Sequence, residues 1–178
     1  MEIEQALPTV ALRTPDVAAA RGIYTPHELS QACNIPWRTA QEYLNDVPIR
    51  VTRDTLARIC QGLQCHITDL FYIYTGEYAP PPIKLGTQPI YNVSFRLRVK
   101  ERAVAQNLRS AGHLATVAGL CRGPAIELWR DRTGKFDRKR TLPRLYVALR
   151  CTSITDLIEM RVDTSSESSR RQQSLVAA

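Results

Sequence analysis

The most constraining feature of this 178-residue sequence is an internal repeat that covers most of its length. A shift of 85 positions pairs six residues of the first half with identical or similar residues of the second: Leu29 with Leu114, Asn34 with Gly119, Ile35 with Leu120, Ala40 with Ala125, Glu42 with Glu127, and Asp46 with Asp131. The match continues at a shift of 86 from Thr55-Leu56 and at 87 from Ile67-Thr68-Asp69-Leu70, so two single-residue insertions account for the drift. Such self-similarity predicts that the same structural unit occurs twice in the chain.

Each copy of the unit contains two short helices joined by a tight turn. In the second copy Leu114-Ala115 lies at the start of one helix and Gly119 is the turn residue. Leu120 is the hydrophobic residue that packs beneath the turn. Gly suits the turn because it adopts positive φ without steric cost, and Asn34, which tolerates the left-handed conformation, takes its place in the first copy. Two helices joined by a short turn that often contains Gly form a helix-turn-helix arrangement.

Caps and helical spacing predict the elements around these helix pairs. Thr25, Pro26 and Glu28 have the spacing of a capping box at a helix start. Residues 94–110 are predicted to form one helix, and residues 90–95 before it could pair as a short strand or lie along a helix. Apolar residues at i, i+3, i+4 and i+7 predict an inward-facing helix later in each copy. These residues are Leu56, Ile59, Cys60 and Leu63 in the first copy, and Leu142, Leu145, Tyr146 and Leu149 in the second.

The net charge of +7 is concentrated in the second half of the chain. Residues 1–90 hold 7 Lys or Arg and 9 Asp or Glu, a net charge of −2, whereas residues 91–178 hold 17 and 8, a net charge of +9. Six basic residues follow directly after the second helix pair: Arg130, Arg132, Lys135, Arg138, Lys139 and Arg140. A surface that lies along a phosphate backbone needs such a run, and the asymmetry predicts a polyanionic partner.

Several functional classes are not favoured by the sequence. No run of eighteen apolar residues exists to span a membrane, and no signal peptide is recognisable, so a cytoplasmic protein is expected. The five cysteines lack zinc-site or C-x-x-C spacing and are expected to be mostly buried free thiols, with no metal or cofactor. His27, His66 and His113 are scattered, and no paired carboxylates, P-loop or nucleophile motif appears, so no enzyme is expected.

Composition predicts five segments along the chain. Residues 1–14 form an N-terminal arm, 15–74 a first helix-turn-helix domain, and 75–92 a linker rich in Pro and Gly and therefore semi-stiff. Residues 93–162 form a second, basic helix-turn-helix domain. The polar, Ser-rich residues 163–178 form a disordered tail.

Both halves resemble the lambda-repressor/Cro-like (XRE-type) helix-turn-helix domain. The turn residue and hydrophobic plug of that pattern are present in Asn34-Ile35 and Gly119-Leu120, and its Asp-Leu in Asp69-Leu70 and Asp156-Leu157. The resemblance implies an all-α fold of two tandem five-helix domains joined by a Pro-rich linker. It also implies a bacterial or phage-type, sequence-specific transcriptional regulator that binds double-stranded DNA.

The resemblance also implies a set of DNA-contacting residues, because the family inserts its second helix into the major groove. The base-reading residues are Trp37, Arg38, Thr39, Gln41, Glu42 and Asn45 in the first domain, and Arg122, Ile126 and Glu127 in the second. The phosphate contacts are Arg130, Arg132, Lys135, Arg138, Lys139 and Arg140. Six such contacts predict a slope of about −5 for log affinity against log salt. The linker, extended to about 59 Å, permits both domains to reach half-sites about 34 Å apart.

A second hypothesis stays open because residues 15–74 carry little net charge. The first domain would then be a protein-docking or homodimerisation module, and the protein an adaptor tethered to DNA by its basic half. DNA affinity of the isolated first domain favours the regulator, whereas self-association or pull-down of a partner protein without DNA affinity favours the adaptor.

Overall fold

The computed structural model describes residues 7–74, 80–83, 85–87 and 89–162. The first half consists of β1 (Thr9–Leu12), α1 (Thr14–Ala20), α2 (Pro26–Cys33), α3 (Trp37–Leu44), β2 (Arg50–Thr52), α4 (Arg53–Leu63), α5 (Ile67–Leu70) and β3 (Phe71–Tyr74). The second half consists of β4 (Val93–Leu97), α6 (Val99–Ala105), α7 (Ala111–Ala118), α8 (Arg122–Trp129), β5 (Lys135–Asp137), α9 (Thr141–Ala148), a 3₁₀ helix (Ile154–Asp156) and β6 (Ile158–Val162). The predicted tail, and parts of the predicted arm and linker, lie outside the described residues.

The helix starts and turns lie where the sequence predicts them. The Thr25 hydroxyl accepts a hydrogen bond from the Glu28 N–H, and the Glu28 carboxylate accepts one from the Thr25 N–H, which confirms the capping box. The N–H groups of Tyr24 and Thr25 lower the pKa of Glu28 because they favour its charged form. α2 ends at Asn34 with φ 50°, and α7 ends at Gly119 with φ 60°, so both predicted left-handed turn residues are confirmed.

Within the described ranges, three two-stranded antiparallel sheets correct the all-α expectation to a mostly helical fold. β1 pairs with β3 and β4 with β6, so one sheet closes each half. β1 lies within the predicted N-terminal arm, where Val10 and Leu12 alternate with more exposed residues and bury one face of the strand. β4 occupies the start of the helix expected over residues 94–110. In the second half the predicted fifth helix is the three-residue 3₁₀ helix.

The third sheet joins the two halves around a local twofold axis. β2 and β5 run antiparallel with Val51 opposite Phe136, and these two residues are 85 positions apart, as the repeat requires. The flanking pairs are also related by the shift of 85: Arg50 lies opposite Asp137 and Thr52 opposite Lys135. Two equivalent strands paired in this register are related by a twofold rotation. The axis therefore passes between Val51 and Phe136.

The hydrophobic core runs through both halves as one continuous cluster of buried side chains. The first predicted apolar stripe is confirmed, since Leu56, Ile59, Cys60 and Leu63 are fully buried. In the second stripe Leu142, Leu145 and Leu149 are buried, and Tyr146 is half-buried. α4 packs against β4 and α9 against β1, so each half covers part of the other.

The described residues between the halves lie along the first half. The Arg13 guanidinium donates to the carbonyl of Pro81 at 2.7 Å, and that of Arg21 donates to the carbonyl of Gly86 at 3.2 Å. The side-chain amide of Gln64 donates to the Ile90 carbonyl at 2.9 Å and accepts from its N–H at 2.6 Å. Three side chains of the first half therefore fix the path of this segment.

Candidate nucleic-acid interface

α2 and α3 form a helix pair whose mutual orientation is fixed by packing and by the turn. Leu29 of α2 and Ala40 of α3 are fully buried, and Ile35 plugs the turn between them. The Ser30 hydroxyl donates to the Ile35 carbonyl at 2.6 Å. From α4, the Arg58 guanidinium donates to the Asn34 carbonyl at 2.8 Å. The turn is therefore held from two sides, and α3 projects from a rigid base.

The outward face of α3 presents polar and aromatic side chains. Trp37 is 53% exposed, and the Arg38 side chain is 87% exposed with its Nε 3.4 Å from Glu42 Oε1. Gln41 and Asn45 are exposed, and Thr39 and Glu42 are half-buried. The structure therefore brings the six residues predicted to read bases in the first half onto one helix and its C-terminal end. Their contacts with bases stay a prediction.

α7 and α8 form an equivalent helix pair in the second half. Leu114 of α7 and Ala125 of α8 are fully buried, and Leu120 is half-buried in the turn. The Arg144 guanidinium of α9 donates to the Gly119 carbonyl, as Arg58 does to Asn34 in the first half. The turn is thus built in the same way in both halves.

The outward face of α8 is less polar than that of α3. Arg122 and Glu127 are exposed, and Ile126 is half-buried. Gly123 and Pro124 are exposed between them, without a polar side-chain group. A cavity of about 610 Å³ lies between α8 and β5. The predicted base-reading residues Arg122, Ile126 and Glu127 therefore lie on one helix. Four residues without a polar side-chain group separate Arg122 from Glu127.

Five of the six predicted phosphate-contacting residues are exposed along the segment from the end of α8 to the start of α9: Arg130, Arg132, Lys135, Lys139 and Arg140. The Asp137 carboxylate accepts hydrogen bonds from the backbone N–H groups of Lys139 and Arg140 at 2.9 and 2.8 Å. This turn presents the two basic side chains next to the β2–β5 pair.

The sixth residue, Arg138, is a correction to the predicted phosphate set. It is 1% exposed, and its Nη1 lies 2.6 Å from Asp46 Oδ1. The same guanidinium donates to the backbone carbonyls of Val10, Asp46 and Pro48 at 3.0 to 3.2 Å. Four of its five N–H donors are thus used inside the protein, and so buried a guanidinium cannot reach a phosphate.

A reciprocal pair lies across the twofold axis. Arg53 of the first half donates to the Asp131 carboxylate at 2.7 Å and to the Asp131 carbonyl at 3.1 Å. Arg53 and Arg138 are 85 positions apart, as are Asp46 and Asp131. Sequence reasoning matched the two aspartates but missed their role. The signal was that an arginine recurs at the same shift.

Four of the five cysteines lie inside the protein. Cys33, Cys60, Cys65 and Cys151 are buried and Cys121 is exposed, which confirms the expectation that most thiols face inward. Burial raises the pKa of Cys33 to about 12 and that of Cys151 to about 11, so both stay protonated at neutral pH. Within the described ranges, no group of three or more His, Cys, Asp or Glu residues is placed to hold a metal ion.

Helix-turn-helix DNA-binding domains form a class with a common arrangement. One packed helix is joined by a tight turn to a second helix, and the second helix has an exposed polar face. Residues 16–76 match the family model of the Cro/C1-type HTH DNA-binding domain, so this chain contains one such domain, which indicates a DNA-binding transcription regulator. No curated protein and no solved structure matched the chain. In the part of the chain that the structure describes, no helix is long and apolar enough to cross a membrane.

Proposed function

We propose that this protein is a sequence-specific DNA-binding transcriptional regulator that presents two non-identical helix-turn-helix units from one chain. The observation that carries the proposal is the twofold axis between β2 and β5, with α2–α3 in one of the halves that this pair joins and α7–α8 in the other. Dimeric helix-turn-helix proteins place two recognition helices around such an axis, on half-sites one helical turn apart. A single chain of this protein takes the place of that dimer.

In this proposal the exposed face of α3 reads bases in the major groove. Arg38 grips a guanine through two hydrogen bonds, Gln41 pairs with an adenine, and Trp37 contacts a thymine methyl group. Thr39, Glu42 and Asn45 complete this reading face, and Arg122, Ile126 and Glu127 form the corresponding face of α8.

The exposed basic segment after α8 holds the phosphate backbone. Its five available residues are Arg130, Arg132, Lys135, Lys139 and Arg140. Each neutralised phosphate releases counterions, so five contacts give a slope of about −4.5 for log affinity against log salt. The slope is shallower than the sequence alone implied because Arg138 is buried.

The experiment that tests the proposal is selection of binding sites from a random duplex library by the full chain, followed by affinity measurements over a salt series. We expect an enriched sequence and a linear dependence of log affinity on log salt.

Three variants refine this test. Arg38→Ala should reduce the preference for the selected over a scrambled duplex. Lys139→Ala should weaken both complexes equally and reduce the slope by about 1. Lys100→Ala, an exposed basic residue on α6, is the matched control and should change neither. The absence of binding to any duplex at low salt would contradict the proposal.

The adaptor hypothesis makes the opposite predictions. It requires the first half to self-associate or to bind another protein without DNA, and it requires α3 variants to leave DNA affinity unchanged. Sedimentation of the full chain over a range of concentrations, with and without the selected duplex, separates the two. Because β2 is already paired with β5, the regulator should sediment as a single chain and bind one duplex as a single chain.

A further inference from the structure

We infer that the protein reads its DNA site asymmetrically. The first unit supplies the sequence information, and the second unit holds its half-site through the phosphate backbone with little discrimination between bases. This inference rests on the proposed function and assigns different tasks to its two units.

The first observation is the loss of base-reading groups from α8 at positions equivalent to those of α3. Arg38, Thr39 and Gln41 correspond, at a shift of 85, to Gly123, Pro124 and Ile126. Base edges are distinguished mainly by side-chain donors and acceptors that match their hydrogen-bonding pattern. Gly, Pro and Ile carry no such groups. Three positions of the reading face are therefore lost in the second unit.

The second observation concerns the glutamates that the two helices share. Glu42 lies 3.4 Å from Arg38, which offsets its charge. The equivalent Glu127 has Gly123 in the place of that arginine, and among the described residues it forms no ion pair within 4.0 Å. An uncompensated carboxylate is repelled by phosphates, so α8 is less suited than α3 to lie deep in a groove.

The third observation is that positive charge increases where reading groups are lost. Arg130 and Arg132 replace the exposed Asn45 and Val47 of the first unit, and Lys139 replaces Asp54. Phosphate contacts fix the position of a protein on DNA but carry no sequence information directly. Affinity that does not depend on sequence is therefore concentrated in the second unit.

These differences also give the complex a direction. A symmetric dimer binds a palindrome equally well in either orientation. Here the β2–β5 pair and the shared core fix the two unlike units relative to each other, so only one orientation places α3 on the informative half-site. The footprint should cover both half-sites, whereas sequence preference should be confined to one.

The test uses the full chain, the selected duplex and two derivatives in which one half-site or the other is scrambled. Cys121 is the exposed cysteine and immediately precedes α8, so a DNA-cleaving iron chelate attached there marks the half-site of the second unit. Cys121→Ser is the control for the attachment. Scrambling the unmarked half-site should weaken binding by about 30-fold or more, and scrambling the marked one by less than about 3-fold. Protection from hydroxyl radicals should extend over both.

Two variants strengthen the test. Arg38→Ala should reduce the penalty for scrambling the unmarked half-site, whereas Arg122→Ala should weaken binding to all three duplexes by the same factor. Equal penalties in the two half-sites, or a base preference that Arg122→Ala removes, would overturn the inference and leave the proposed function standing. Protection of one half-site alone would overturn both the inference and the two-unit binding mode that the proposed function requires. Failure to bind any duplex at low salt would overturn the proposed function, and the inference with it.

Discussion

At the scale of the residue, two arginine–aspartate pairs join the halves. The Arg138 guanidinium is almost fully buried, and a buried charge is tolerated only when it is paired and hydrogen-bonded. The Asp46 carboxylate and three backbone carbonyls meet that requirement. Arg53 makes the equivalent pair with Asp131, but its side chain is 22% exposed. Water therefore solvates part of its charge, and pairing matters less for its stability.

This difference predicts unequal effects of removing the two arginines or their partners. Arg138→Ala should lower the free energy of unfolding by about 3 kcal/mol or more, because it removes a large buried side chain and leaves three backbone carbonyls without their donor. Asp46→Ala should also be strongly destabilising, because it leaves the Arg138 charge without a counter-charge. Arg53→Ala should cost less than Arg138→Ala. Urea unfolding followed by circular dichroism measures these changes. Lys139→Ala, the exposed neighbour, should stay within about 0.5 kcal/mol. An equally small effect of Arg138→Ala would contradict the structural role of the buried pair.

The sequence placed Arg138 in a basic run, and a local pattern cannot separate it from its exposed neighbours. Its burial is decided by Asp46, which lies 92 residues away in the chain. The repeat contained the missing information, since the same arginine and the same aspartate recur at a shift of 85. Two residue types that recur together in both copies are candidates for one reciprocal contact across a twofold axis.

At the scale of the element, helices were more predictable than strands, of which only β4 overlaps a strand that the sequence left open. The helices α2, α4, α7 and α9 follow from caps, turn residues and apolar spacing, which are signals contained within about ten residues. The strands are three to five residues long, and each pairs with a strand far away in the sequence. So short a segment has too few residues to show a period of two. The candidate DNA-reading helix was therefore visible in the sequence, whereas the sheet that orients the two units was not.

The packing of α2 against α4 gives an element-scale prediction at Gly62. A Cβ atom there would lie 2.6 Å from the Ala32 carbonyl oxygen and the Cys33 sulfur. Gly62→Ala should therefore push the two helices apart and cost about 1–3 kcal/mol, although Ala favours helices. Gly123→Ala in α8 is the matched control, because no atom lies within 4 Å of its Cβ, and it should be neutral or stabilising by up to about 1 kcal/mol. Chemical denaturation of both variants checks the pair. Equal effects would show that helix propensity, and not close approach, decides both.

At the scale of the whole molecule, the sequence predicts two domains on a tether, whereas the structure has two halves that share a core. With a flexible tether, the second unit must find its half-site after the first has bound. The resulting gain in DNA affinity then depends on the length of the linker. The β2–β5 pair fixes the relative position of α3 and α8 before DNA is present. The entropic cost of fixing the two helices relative to each other then arises during folding and not during DNA binding, which favours tighter association with DNA.

A shared core predicts that the halves unfold together, and the two tryptophans report on this separately. Trp129→Phe leaves Trp37 in the first half as the fluorescent reporter, and Trp37→Phe leaves Trp129 in the second. The two urea transitions should coincide with each other and with circular dichroism. Adding Phe136→Ala, which removes a buried side chain at the axis, should lower the midpoint reported by Trp37 as well as that reported by Trp129. If only the Trp129 transition moves, the halves are stable independently. The recognition helices would then be joined by the linker alone, and a fixed direction on DNA would lose its physical basis.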